Sequence, residues 1–211
     1  MTSTLLEARQ IHCERDDRPL FSGLDFRVGS GELWRIAGPN GVGKTTLLRI
    51  LAGLNPAFEG ELLWQGEPVH RVRTQYQANL LFLGHNAGVS SSLTAYENLA
   101  GWQAMRTPAV PEQVMVALAD AGLSGYEDLP AAQLSAGQQR RVALARLYLS
   151  SAPLWILDEA FTAVDREAVA QLEALLANRV RAGGAVILTT HHRLALEGVQ
   201  VLTLGEGYDA V

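Results

Sequence analysis

Nine consecutive residues, Gly38-Pro39-Asn40-Gly41-Val42-Gly43-Lys44-Thr45-Thr46, restrict the possible folds more than any other stretch. They satisfy G-x-x-x-x-G-K-[ST] at each fixed position. They lie between an apolar run, Leu33 to Ala37, that reads as a strand, and a second, Leu47 to Ala52, that reads as a helix stopped by Gly53. Glycines let such a loop wrap closely around an anion, so that several backbone N–H groups converge on it. The helix beginning after Gly43 adds unpaired donors and the positive end of its dipole. On this reading Lys44 reaches the β- and γ-phosphates and the Thr45 hydroxyl ligates Mg²⁺. A nucleoside triphosphate is the expected ligand.

Composition narrows the partners. A formal net charge of −5 over 211 residues argues against a sequence-independent grip on nucleic-acid phosphates, so no nucleic acid is expected. The single Cys13 excludes an internal disulfide and suits a reducing compartment. The start, Met1 to Glu7, lacks the basic and apolar regions of a signal peptide. No apolar run approaches the roughly 20 residues that span a bilayer. Any membrane role is therefore expected to be peripheral and to pass through a partner.

Leu5 to His12 and Leu20 to Val28 read as an antiparallel pair, and Glu61 to Trp64 as a strand closed by the turn Gln65-Gly66-Glu67-Pro68. Asn79 to Gly84 reads as a buried strand. The character changes after His85. Thr94 and Glu97 have capping-box spacing, and Pro111 and Gly122 bracket a helix with Val114, Leu118 and Ala121 on one face. A third helix starts near Gly137 and carries Val142, Ala145 and Leu149. Leu154 to Leu157 and Ala185 to Thr190 read as buried strands, and Ala168 to Arg181 as an amphipathic helix with Val169, Leu172, Leu176 and Val180 inward. Strands alternating with helices imply an α/β fold with a mainly parallel sheet. We expect one domain, 1–211, with an α/β core and antiparallel β subdomain at 1–85 and 134–211 and a helical subdomain inserted at 86–133.

Asp158, at the carboxyl end of the strand Leu154–Leu157, fits a magnesium-shell carboxylate, because ligands in such sheets collect at that edge. Glu159 is placed to orient or deprotonate water, and His191, emerging at the same edge, to hydrogen-bond the γ-phosphate or the water. His191-His192 does not suit a metal pair, because adjacent side chains on a strand point to opposite faces. In Leu134-Ser135-Ala136-Gly137-Gln138, Ser135 is a candidate helix cap and Gly137 permits close approach. On chemistry alone this stretch reads equally as a second anion site, serving a neighbouring molecule, and as a surface helix cap.

These motifs resemble the ATP-binding cassette (ABC) ATPases. Gly38–Thr46 is similar to their Walker A, Leu154–Glu159 to their Walker B, and Leu134–Gln138 to their signature motif with Ala136 in place of a glycine. Thr162-Ala163-Val164-Asp165 is similar to their D-loop, and His191 to their switch histidine. The resemblance implies a P-loop NTPase of ABC type, ATP and Mg²⁺ as cofactors, and ATP hydrolysis. It also implies a head-to-tail homodimer in which Ser135 and Gly137 of one subunit close over the ATP held by Lys44 of the other.

A narrower resemblance lies in Leu63 to His70, Leu134 to Leu147 and Leu154 to Glu159, which are similar to the CcmA family, the ATPase subunits of the bacterial cytochrome c maturation (haem exporter) system. The lack of an extension after Val211 agrees with that compact family. Membership implies integral membrane subunits of CcmB and CcmC type, release of a haem-loaded chaperone of CcmE type, and a place on the cytoplasmic face of the inner membrane. It does not imply contact with haem, and there is no Cys-x-x-Cys-His. The shared cassette equally suits the ATPase of another small exporter or importer. A soluble cassette acting on nucleic acid, or an ATP sensor without turnover, fits the acidic balance and the intact Lys44, Asp158, Glu159 and His191 less well. Three positions depart from the general ABC pattern. His85 stands where a glutamine links nucleotide and partner. Ala160 replaces proline after Glu159. Arg15, rather than an aromatic residue, is nearest the base-stacking position.

Overall fold

Residues 3–16 and 18–205 are described by the computed structural model. Expectations placed on Met1, Thr2, Asp17 and the stretch ending at Val211 lie outside the described residues. The first strands, β1 (Thr4–Arg15) and β2 (Arg18–Gly29), form the expected antiparallel pair and run further at both ends. They are followed by β3 (Leu33–Ala37) and α1 (Lys44–Leu51), then by β4 (Glu59–Trp64), β5 (Glu67–Pro68), α2 (Arg73–Ala78) and β6 (Leu80–Leu83). The helices α3 (Ala95–Ala104), α4 (Pro111–Asp120) and α5 (Ala136–Leu149) come next. Then β7 (Leu154–Leu157), α6 (Arg166–Arg181), β8 (Ala185–Leu188) and β9 (Val199–Thr203) complete the order.

Two sheets result: a four-stranded one in the order β2-β1-β4-β5, and a five-stranded one in the order β6-β7-β8-β3-β9. In the larger sheet β3 pairs in parallel with both β8 and β9, and β7 with β8. Contacts divide the chain into two compact units, Met1–Phe82 with Ala152–Glu159 and Leu176–Val211, and Leu83–Ser151 with Ala160–Leu175. Within the first unit α1 buries Leu47, Leu48, Ile50 and Leu51 in one cluster with Leu6 and Leu24 of the antiparallel sheet and Ile36, Ile156 and Ile187 of the parallel one. Each such burial contributes about 1.5–3 kcal/mol. Those contacts hold the loop preceding α1 between two layers.

Three local features differ from the sequence reading. The turn before β5 is only Gln65-Gly66, with φ of 51° and 87°, so Glu67 pairs with Trp64 and Pro68 with Leu63. The helix α2 was not expected. Its residues, Arg-Thr-Gln-Tyr-Gln-Ala, bury Tyr76 alone and carry no apolar period. Tyr76 anchors it by donating to the Leu51 carbonyl and tilting against Trp64 at 5.2 Å, and burial pushes its phenol far above the ordinary value. The edge strand β9 was also unexpected. Its side chains are half-buried or exposed, which leaves no alternation to read.

In the second unit α3, α4 and α5 surround Leu99, Val114, Leu118, Val142 and Ala145. The Thr94 capping box forms as expected, with Glu97 N donating to Thr94 Oγ1 at 3.0 Å and Thr94 N to Glu97 Oε2 at 2.8 Å. This unit takes in more than residues 86–133, because α5 packs on α3 and α4 and carries the signature motif with it. In α6, Leu172 and Leu176 are buried, whereas Val169 and Val180 are only half-buried.

Candidate functional site

The phosphate loop leaves β3 at Gly38 and enters α1 at Lys44. Gly38 has φ of 135°, and a Cβ there would lie 2.7 Å from the Leu204 carbonyl oxygen, so no other residue fits. Gly43 has φ of 103° and supplies no side chain to cap α1. The N–H groups of Lys44, Thr45 and Thr46 thus head the helix without a side-chain acceptor, the first helical bond being Leu47 N to Gly43 O at 2.8 Å. The Lys44 ammonium folds back and donates to the Gly38 and Pro39 carbonyls at 2.8 and 2.9 Å. Thr45 is exposed. Convergent N–H groups, one cation and a hydroxyl fit a polyphosphate with a hard cation.

Register brings the acidic groups to the same sheet edge. Leu157 of β7 lies opposite Leu188 of β8, so Asp158 and Thr189 leave their strands side by side. The Thr189 hydroxyl donates to Asp158 Oδ1 at 2.7 Å and accepts from Glu159 N at 2.9 Å. Asp158 and Thr189 are buried, at 1% and 0% exposure, which leaves the carboxylate little freedom to rotate. Glu159 has φ of 52°, a region that disfavours side chains, and its side chain is 18% exposed. His191 Nε2 stands 3.6 Å from Glu159 Oε1. Both histidines follow β8 rather than continuing it, so strand alternation does not govern His191 and His192.

Ser135, Gly137, Asp165 and His85 belong to the second unit. Ser135 caps α5 through a full capping box: Gln138 N donates to Ser135 Oγ at 3.2 Å and Ser135 N to Gln138 Oε1 at 2.9 Å. The hydroxyl is used as an acceptor there, and its own proton is still available to a further acceptor. A Cβ on Gly137 would meet the Ala163 carbonyl oxygen at 2.9 Å, so a side chain does not fit at 137, whereas Ala136 is exposed at the helix start. Asp165 accepts from Ala168 N at 2.9 Å and pairs with Arg141, which also donates to the Gly122 carbonyl at 3.3 Å. The Ala168 N–H first, and Arg141 with it, holds the Asp165 carboxyl below the usual range. His85 stands two residues beyond β6 and is exposed. Arg15 is also exposed, with Nε 3.5 Å from Asp16 Oδ2.

Thr189 was missed in the sequence. Its signal is a hydroxyl ending an apolar strand, two residues before His191. Cys13 is buried with its Sγ–H directed to the Ala57 carbonyl at 3.4 Å, and burial raises its thiol.

A phosphate loop on a parallel sheet, an Asp-Glu pair at the carboxyl end of β7 in that sheet and a capped signature helix define a P-loop ATPase built as an ATP-binding cassette. The chain belongs to the ABC transporter family, whose match covers residues 21–162. It is 57% identical to the cytochrome c biogenesis ATP-binding export protein CcmA of Hahella chejuensis over 202 residues, 95% of this chain and 96% of that one. It is 55% identical to the protein of the same name from Escherichia coli K12 over 190 residues, 90% of each. In fold it is similar to the ATP-binding cassette MJ0796 in a dimeric post-hydrolysis state bound to ADP and Pi, with a TM-score of 0.84 and 22% identity over 95% and 94% of the chains. A Pyrococcus furiosus ABC transporter ATP-binding protein gives 0.80 at 24% identity over 94% and 96%.

Proposed function

We propose that this chain is the ATP-hydrolysing subunit of a membrane ABC complex in cytochrome c maturation, coupling hydrolysis to haem export or to release of a haem-loaded chaperone. The observation that carries this reading is identity above half to CcmA proteins along nearly the whole chain, with the nucleotide residues intact.

Gly38, Pro39, Asn40, Gly41, Val42 and Gly43 supply the cradle, and Lys44, Thr45 and Thr46 head the helix that faces the phosphates. Lys44 exchanges its two carbonyl acceptors for β- and γ-phosphate oxygens. Thr45 and Asp158 would hold Mg²⁺, which when bound neutralises charge on the β- and γ-oxygens. Among the described residues no cluster of three or more His, Cys, Asp or Glu side chains offers a self-sufficient metal site, which suits an ion held largely by phosphate and water. Thr189 fixes the Asp158 carboxylate that would hold the ion. Glu159 takes the proton of the attacking water, with His191 steadying the water or the γ-phosphate. Ser135, Gly137 and Asp165 of a second copy complete the site in a head-to-tail homodimer, and His85 relays its state to the membrane partner.

Among the described residues no helix is long and apolar enough to cross a membrane. Among the described residues, apart from Leu54 and Val201, the large apolar side chains that are exposed belong to the second unit, Met105 and Val116 foremost. That concentration supports docking on integral subunits of CcmB and CcmC type at the cytoplasmic face of the inner membrane. A strain carrying Lys44→Ala tests the reading: it should make apocytochromes c without attaching haem. Normal covalent haem staining there would assign the chain to another small ABC transporter. Co-purification from solubilised membranes should recover the integral partners.

A further inference from the structure

Residues 84–88 lead from β6 into the helical unit, and three of their backbone carbonyls are taken by arginines of α5. Arg140 Nη1 donates to the Gly84 carbonyl at 3.0 Å and to the His85 carbonyl at 3.3 Å. Arg146 Nη2 donates to the Gly88 carbonyl at 2.6 Å. Arg140 is only 5% exposed. Arg146 is half-buried, and its guanidinium is held below the ordinary value by burial and by the charge of Arg140. Two cations within electrostatic reach of one another therefore both donate to a five-residue segment, against the cost of desolvation and mutual repulsion. Gly88, at φ of 60°, turns the segment beside Arg146, with Nη1 3.5 Å from where a Cβ would stand.

A guanidinium nitrogen that donates to two successive carbonyls fixes the peptide's orientation as well as its position. The His85 backbone is held in this way while the residue stays exposed. The helix doing the holding begins at the Ser135 cap, less than two turns before Arg140. We propose that Arg140 and Arg146 are positioning residues that fasten the 84–88 segment to the signature helix, so that His85 follows any displacement of Ser135 and Gly137. The inference rests on the reading of His85 as the relay to the partner. Closure of the signature motif over nucleotide would thus reach the relay through one rigid helix rather than through a chain of loops.

A nitroxide attached through Asn86→Cys reads the segment directly, since Cys13 is the only native cysteine and is buried. Arg140→Met keeps the buried aliphatic stem and removes the nitrogen that makes both bonds. In the membrane complex it should narrow the nitroxide spectrum and lower kcat by about 10–100-fold, with KM for ATP unchanged. Arg140→Lys should fall between the two and serves as the test variant if the methionine chain does not fold. Combining Arg140→Met with His85→Gln should cost no more than the worse single change, because residues acting as a unit are not additive. An unaltered spectrum in Arg140→Met, losses that multiply in the double variant, or an Arg140→Lys protein matching wild type in both readouts would overturn the proposal. If Arg140→Met loosens the label while His85→Gln turns over as wild type does, the fastening stands and the relay role of His85 is what fails.

Discussion

The first unit draws its charged groups onto the carboxyl ends of parallel strands, whereas the second presents its own at capped helix starts. Asp158 is buried and already bonded to Thr189, and Lys44 is folded onto its own loop. Ser135 and Asp165 are exposed, each satisfied locally by a backbone N–H of the helix it begins. Strand register gives the phosphate side a fixed geometry within one chain. Helix capping gives the signature side a surface that is complete by itself and still retains one hydroxyl proton to offer. The two sides thus differ in whether a substitution damages chemistry alone or chemistry together with local stability.

The contrast is tested most severely by Lys44→Ala and Asp158→Asn, each of which should leave no measurable turnover in the purified complex. Turnover at the wild-type rate in either would remove the phosphate-side assignment. Glu159→Gln should lower kcat by about 10²–10⁴-fold while ATP still binds. The protein should then persist as an ATP-bound dimer on size exclusion, and a monomer in saturating MgATP would count against both Glu159 and Ser135. Ser135 itself sharpens the comparison. Ser135→Ala loses the cap, at about 1 kcal/mol, along with the hydroxyl. Ser135→Asp keeps the cap but can only accept, so it should melt as wild type does and yet lose turnover. If Ser135→Asp retains turnover, the motif is a helix cap and nothing more.

The smallest effect concerns acid stability. The folded Asp165 carboxyl lies below its unfolded value, so its contribution is present above the ordinary carboxylate range and is lost as pH falls through the folded value. Asp165→Asn, which still caps, should flatten the acid side of the Tm–pH curve slightly and leave the neutral side alone. Because the group is exposed, screening by solvent and salt keeps the change small.

The phosphate loop was legible in advance because its chemistry depends on backbone that only a fixed glycine spacing can form. The strands of the core were legible as short apolar runs, the cap at Thr94 through a partner three residues on, and the cap at Ser135 from the serine alone. Legibility failed where one contact does the work. Tyr76 alone anchors α2, and β9 is recognised by pairing with β3 rather than by its own side chains. The Asp158–Thr189 bond joins residues 31 apart through the register of two strands, and no local pattern encodes it. Arg140 and Arg141 are adjacent in sequence, yet one reaches the 84–88 backbone and the other Asp165. Which does which follows only from the packing of α5.

The left-handed backbone at Glu159, with φ of 52°, carries a consequence for the endurance of the enzyme. Holding a side-chain-bearing residue there costs about 1 kcal/mol relative to glycine. Glu159→Gly should therefore melt above wild type while losing turnover at least as severely as Glu159→Gln, which retains the cost and makes the fairer control for chemistry. Heat tolerance and turnover pull against each other at one torsion angle, so selection for thermal survival alone would tend to discard the carboxylate that hydrolysis needs.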